Sequence, residues 1–156
     1  YTPAKYIEAA REVLGRIDTD PASSEFANRT VRASLFYTED DSGLDNEWHG
    51  RVWMNPPYAQ PLIQQFIEKL AEQFLLGNTE SAIALTHNYT DTEWFHIAEQ
   101  HCTAICFTRG RVKFESPDGA VAAPTQGQAF FYFGKDLPKF TQVFSQFGFV
   151  LANVAV

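Results

Sequence analysis

The clearest periodic signal covers Leu62–Leu76. Ile63, Phe66, Ile67, Leu70 and Phe74 recur at three- and four-residue intervals, and Gly77-Asn78 follows. This spacing predicts a helix with one apolar stripe and a stop beyond it. The same period in Ile7, Ala10, Val13 and Leu14 predicts a helix over AKYIEAAREVLG, with Thr2 as its N-cap, Pro3 at the first helical position and Gly15 at its end. Short continuous apolar runs predict buried strands at 81–86, 103–107 and 128–133. Residues 51–54 also read as a strand, as do shorter pieces at 16–20 and 31–37. Residues 22–28 read as a loop or short helix, and 39–46 as an acidic, turn-rich loop. Helices are expected at 91–100, opened by Thr90 or Asp91, and at 137–147, with a final strand at 149–154. Between them, 109–126 is irregular, with a short strand at 112–114.

Strands alternating with helices imply an α/β chain, a mostly parallel sheet with helices on both faces. The closing strand–helix–strand adds an antiparallel edge. No repeat or composition break divides the chain, so one domain over 1–156 is expected. Open sheets of this kind gather ligands at the carboxyl ends of their strands. Three loops rich in chemistry fall there: DTDPAS at 18–23, DDSGL at 40–44 and NPPY at 55–58.

Composition narrows the field. The chain has 156 residues, 45% of them hydrophobic, with 14 Phe, 6 Tyr and 3 Trp, enough for a core without disulfides. No apolar run is long enough to span a bilayer and no signal-peptide pattern opens the chain, so the cytoplasm is the expected compartment. The first residue is Tyr1 rather than Met, which reads as a trimmed or excerpted start. Cys102 and Cys106, four apart on an expected strand, are read as small buried thiols on one face. His96 and His101 do not share a helical face, and no metal site is expected. The formal net charge of −7 argues against nucleic acid as a partner unless a local basic lip serves. Arg109, Arg111 and Lys113 supply the best such lip, and an ordinary basic surface loop fits them equally well.

RVWMNPPY leaves an apolar strand for a segment that cannot continue a sheet. Two prolines fix φ, donate nothing and push their predecessors out of the helical region. The result is a stiff loop of acceptors, Asn55-Pro56-Pro57, capped by Tyr58. Taken alone it also fits a tight turn with a packing tyrosine.

NPPY in an α/β chain resembles the catalytic motif of amino-methyltransferases that use S-adenosyl-L-methionine. Thr2-Pro3, then DTDPAS, then DSGL, then Trp48 shortly before NPPY, is similar in order and spacing to the phage-type DNA N6-adenine methyltransferases. The resemblance runs from Thr2 to about residues 109–114. It lacks a glycine-rich turn after the first strand. It implies a Rossmann-like methyltransferase fold in a bacterial host cell, phage or prophage encoded, with S-adenosyl-L-methionine as cofactor and DNA as substrate. It also implies that Asn55 and Pro56 accept from the adenine amino group while Tyr58 stacks on the extruded base. Asp18 or Asp20 would receive the cofactor's ammonium group, beside Pro21 and Ala22. Asp41 would accept from the cofactor's adenine, with Leu44 against the ring and Thr2 and Pro3 lining the pocket. Arg109, Arg111 and Lys113 would contact phosphates. Helix caps and solvated turns fit several of these acidic residues as well. An amide or guanine amine presents a similar planar NH2, so a protein-glutamine or RNA methyltransferase is the alternative, and a non-catalytic relative a third reading.

Overall fold

The computed structural model describes residues 1–121 and 125–155; the part of the expected irregular stretch at 122–124 lies outside the described residues. Among the described residues seven strands form one sheet. In chain order the elements are α1 (Ala4–Leu14), β1 (Thr19–Asp20), α2 (Glu25–Val31), β2 (Leu35–Phe36), a 3-10 turn (Gly43–Asp45), β3 (Gly50–Met54), α3 (Leu62–Leu76), β4 (Thr79–His87), α4 (Glu93–His101), β5 (Ala104–Thr108), β6 (Gln128–Phe133), α5 (Leu137–Phe144) and β7 (Gly148–Ala152). The sheet order is β2-β1-β3-β4-β6-β5-β7. β2, β1, β3 and β4 pair in parallel, whereas β6 and β7 make antiparallel ladders. The fold is the expected Rossmann-like α/β arrangement.

Alternation along the strands builds a core on each face. Ile83 and Leu85 of β4 join Trp53, Phe130 and Tyr132 under α1 and α5, where Ile7, Ala10 and Phe140 are fully buried. Ala82 and Ala84 face the other way, with Val52, Met54, Phe131 and Phe133, under Ile63, Ile67 and Leu70 of α3 and Phe95 and Ala98 of α4. α3 ends as its sequence predicts, at Gly77 in the left-handed region. Among the described residues no helix is long and apolar enough to cross a membrane.

Several expectations need correction. The N-cap of α1 is Pro3, with no side-chain cap bond, so Thr2 does not cap it. Thr92 caps α4 by accepting from the Phe95 N–H, in place of Thr90 or Asp91. Residues 112–114 form no strand; the nearest pairing is a single bridge from Glu115 to Val121. β6 is antiparallel in the sheet interior rather than at its edge, which explains why all six residues of QAFFYF are buried. The antiparallel edge is β7. The cysteines are both buried but on opposite faces. Cys102 closes α4 and packs in the α3/α4 core, while Cys106 of β5 packs under α5. The residues between them do not run as one strand, so a period-two count fails.

Candidate active site

The parallel strands β1, β2 and β3 direct their carboxyl ends to one rim of the sheet. After β1, the Asp20 side chain is 2% exposed and accepts from the Ala22 N–H at 3.2 Å. Burial pushes its carboxyl up to about 7, against the opposing hydrogen bonds from Ala22 and Ser23. After β2, the acidic loop is tied to the core at several points. Ser42 Oγ accepts from the Leu44 N–H at 3.2 Å, and the Trp48 indole donates to the Gly43 carbonyl at 2.8 Å. Lys69 of α3 donates to the Leu44 carbonyl at 2.9 Å, and Gln73 accepts from the Trp48 N–H at 2.9 Å. Position 43 admits only glycine in this packing, since a Cβ there would lie 2.1 Å from the Pro21 carbonyl oxygen.

After β3 comes NPPY. The Asn55 carboxamide donates to Thr2 Oγ1 at 3.0 Å and accepts from the Tyr58 phenol at 2.5 Å. The phenol also lies 3.3 Å from the Leu85 carbonyl. The half-buried Tyr58 ring sits 4.3 Å from His87 and 6.4 Å from Phe114, centroid to centroid. Burial pushes the phenol well above its ordinary pKa and the His87 imidazole below its own.

Two cavities meet at Asn55. One, of about 430 Å³, is lined by Thr2, Asp20, Phe26, Trp53 and Glu115. The other, of about 470 Å³, is lined by Pro21, Leu44, Pro57, Leu62 and Phe66. Ala22, Ser23, Glu39 and Asn55 belong to both. The first is the more polar, with Asp20 and Glu115 in its wall, and the second the more apolar, with Leu44, Leu62 and Phe66 in its wall, which suits an elongated ligand with a cationic end and a flat ring.

The structure thus brings Thr2, Asp20, Pro21, Ala22, Leu44, Asn55, Pro56 and Pro57 to one cleft, with Tyr58 behind Asn55. It does not bring Asp18, Pro3 or Asp41 there. The Asp18 carboxylate accepts from the Arg51 N–H at 2.8 Å and pairs with Arg16 at 2.9 Å, stitching β1 to β3. Pro3 starts α1, and Asp41 is exposed outside both linings. Arg109, Arg111 and Lys113 are exposed along the segment after β5. Val112, fully buried, and Phe114 alternate with them and pin that segment beside Tyr58. The Glu115 N–H donates to the Tyr1 carbonyl at 2.8 Å, closing the first cavity.

Glu39, Phe66 and His87 were not singled out by sequence. Glu39 carried a usable signal, an acidic residue just beyond the carboxyl end of β2. Phe66 reads as ordinary helix core, and the place of His87 depends on how β4 lies against NPPY.

The DNA N-6-adenine-methyltransferase (Dam) family matches residues 1–135. The chain is 32% identical over 106 residues to a DNA N-6-adenine-methyltransferase of Escherichia phage T1, covering 67% of this chain and 42% of that protein. It is 29% identical over 101 residues to a protein of the same description from Haemophilus phage HP1 (strain HP1c1), covering 64% of this chain and 55% of that one. The aligned regions therefore span about half the length of these relatives. No solved structure matches the chain significantly. With well over half of its length matched, the chain belongs to the DNA N-6-adenine-methyltransferase (Dam) family.

Proposed function

We propose that the chain transfers a methyl group from S-adenosyl-L-methionine to the N6 amino group of adenine in DNA. The observation that carries this is the position of Asn55, an oriented amide where an acidic cavity meets an apolar one. The cofactor supplies an electrophilic methyl on a sulfonium. The residues present fit it. Asp20, buried and short of countercharge, suits its ammonium group; Glu39 suits its sugar hydroxyls; and Leu44, Pro57 and Phe66 offer an apolar slot for its base. Pro21 and Ala22 form the wall between.

An exocyclic amine is a poor nucleophile because its lone pair is delocalised into the ring. Carbonyl oxygens that accept from its N–H bonds favour the form that attacks, and their hydrogen bonds strengthen as positive charge grows on nitrogen. An amide oxygen has two lone pairs. Tyr58 occupies one on Asn55 Oδ1, and the other serves the target amine. The Pro56 carbonyl supplies a second acceptor on a backbone stiffened by two prolines, and this preorganisation lowers the barrier. The Tyr58 ring stacks on the extruded base, at roughly 1–3 kcal/mol per base, which helps offset the cost of leaving the duplex. Arg109, Arg111 and Lys113 contact phosphates beside that loop, a local basic rail on a chain of net charge −7.

The test is transfer of labelled methyl to unmethylated single- and double-stranded DNA, with Asn55→Ala alongside and the product base identified. Methyladenine that vanishes in the variant is expected. Label in protein or RNA instead, with none in DNA, would shift the acceptor to an amide or another base. Failure of the folded protein to bind the cofactor would overturn the reading.

A further inference from the structure

We infer that Thr2 is a positioning residue for methyl transfer, its hydroxyl oxygen accepting from Asn55 Nδ2 and so, together with the Tyr58 bond to Oδ1, holding the carboxamide in one orientation toward the acceptor amine. The inference rests on the reading of Asn55 Oδ1 as the acceptor proposed above. A carboxamide is nearly symmetric in shape and opposite in chemistry at its two ends. Turned the wrong way, Asn55 would present N–H donors to an amine that itself donates.

Both neighbours of the amide are hydroxyls, and either can donate or accept, so identity alone does not set the orientation. The distances do. The contact to Tyr58 is 2.5 Å, within the range of O–H···O bonds and shorter than N–H···O bonds run. The contact to Thr2 is 3.0 Å, the ordinary length of N–H···O. The oxygen therefore faces Tyr58, whose proton has Oδ1 at 2.5 Å as its near acceptor and the Leu85 carbonyl at 3.3 Å as a distant one, and Thr2 Oγ1 accepts from Nδ2. Thr2 has no capping duty that would otherwise explain its hydroxyl, because α1 starts from Pro3 without a side-chain cap. It reaches Asn55 across 53 residues of sequence. Its side chain also lines the acidic cavity, so a direct cofactor contact is the competing role, and the two roles differ in what they change.

Thr2→Val keeps the side-chain shape and removes the acceptor. Thr2→Ser keeps the acceptor, and Thr2→Ala is a second removal. For Val and Ala, kcat should fall about tenfold while the directly titrated cofactor Kd stays within about twofold, and Ser should restore kcat. In the proton-nitrogen spectrum of the protein without ligands, the Asn55 side-chain NH2 pair should exchange with water several-fold faster in Val and Ala than in the parent or Ser. Unchanged kcat with an unchanged NH2 pair overturns the inference. So does a rise in cofactor Kd with kcat preserved, which would make Thr2 a cofactor contact. If the unaltered protein transfers no methyl to DNA, the proposed function fails. The NH2 exchange still decides whether Thr2 orients Asn55.

Discussion

The Tyr58 phenol donates to the Asn55 carboxamide oxygen at 2.5 Å, reaching back over Pro56 and Pro57. The loop is therefore braced inside itself as well as by its prolines. Burial holds the phenol far above its ordinary pKa, so it remains a donor at any working pH. Tyr58→Phe keeps the ring and deletes this bond. A neutral hydrogen bond contributes about 0.5–1.5 kcal/mol. Under the proposed function, methyl transfer should fall about tenfold in Phe, with the Tm little changed, and by more than about a hundredfold in Ala, which would also lose the proposed stacking. Single-turnover rates on one oligonucleotide check this; equal rates for Phe and the parent would remove the bond from the mechanism.

Asp20 ties stability to pH. Its folded value of about 7 lies above the ordinary 3.8 because burial disfavours the charge. Between roughly pH 4 and 7 the folded chain holds a proton that the unfolded chain has lost, so stability is full below that window and falls as pH rises through it. The complete difference is on the order of 4 kcal/mol. Urea unfolding from pH 4.5 to 8 should show the decline, and Asp20→Asn should flatten it. If Asp20 receives the cofactor's ammonium group, cofactor affinity should rise over the same window in the parent and not in Asn.

Gly43 is the point where the acidic loop touches the DPAS loop. Gly43→Ala forces the new methyl against the Pro21 carbonyl oxygen, at 2.1 Å unless the loop shifts. Overpacking of this kind costs about 1–3 kcal/mol. Thermal unfolding should show that loss, and cofactor titration should show weaker binding, since Leu44 and Pro21 line one cavity. Parental cofactor affinity in a destabilised Gly43→Ala would separate the loop from the binding site.

On the proposed phosphate contacts, Arg109 and Lys113 should act on affinity rather than on sequence choice. Arg109→Ala and Lys113→Ala should each weaken DNA binding about equally for all sequences. Each should reduce the salt dependence of log K by about one. Filter binding across a salt series reads both, and an unchanged slope would return these residues to ordinary surface.

Both thiols should be inert in the native state. Burial first, with the neighbouring Glu99 charge adding at Cys102, pushes each to about 12. Thiolates are the reactive form, so alkylation at pH 8 should proceed only as fast as the protein opens. Rapid labelling of either without denaturant would contradict the packing on that face.

Where one face or both faces of an element are buried, its hydrophobic pattern is close to a complete description. α3 and β6 begin and end where the periodicity of LIQQFIEKLAEQFLL and the unbroken QAFFYF run predict. Local rules failed where a long-range partner took over. Thr2 has the identity of a cap, yet its hydroxyl bonds to Asn55. Asp18 has the identity of a ligand, yet it is engaged by Arg16 and the Arg51 N–H. Cys102 and Cys106 have the spacing of one strand face, yet Cys102 closes α4 and only Cys106 lies in β5.

The class of fold, most of its elements in order and the three motif-bearing loops at one rim of the sheet are legible in the chain alone. Those depend on period, on proline and glycine, and on short motifs, all of which act within a few residues. Which loop residues face the cleft follows from how the distant segments pack. That packing places β6 between β4 and β5, sets Glu39 between two cavities and turns the Asn55 amide between Thr2 and Tyr58. Each of those depends on contacts between segments far apart in the chain, and a side chain's direction there is settled by which distant donor or acceptor it meets.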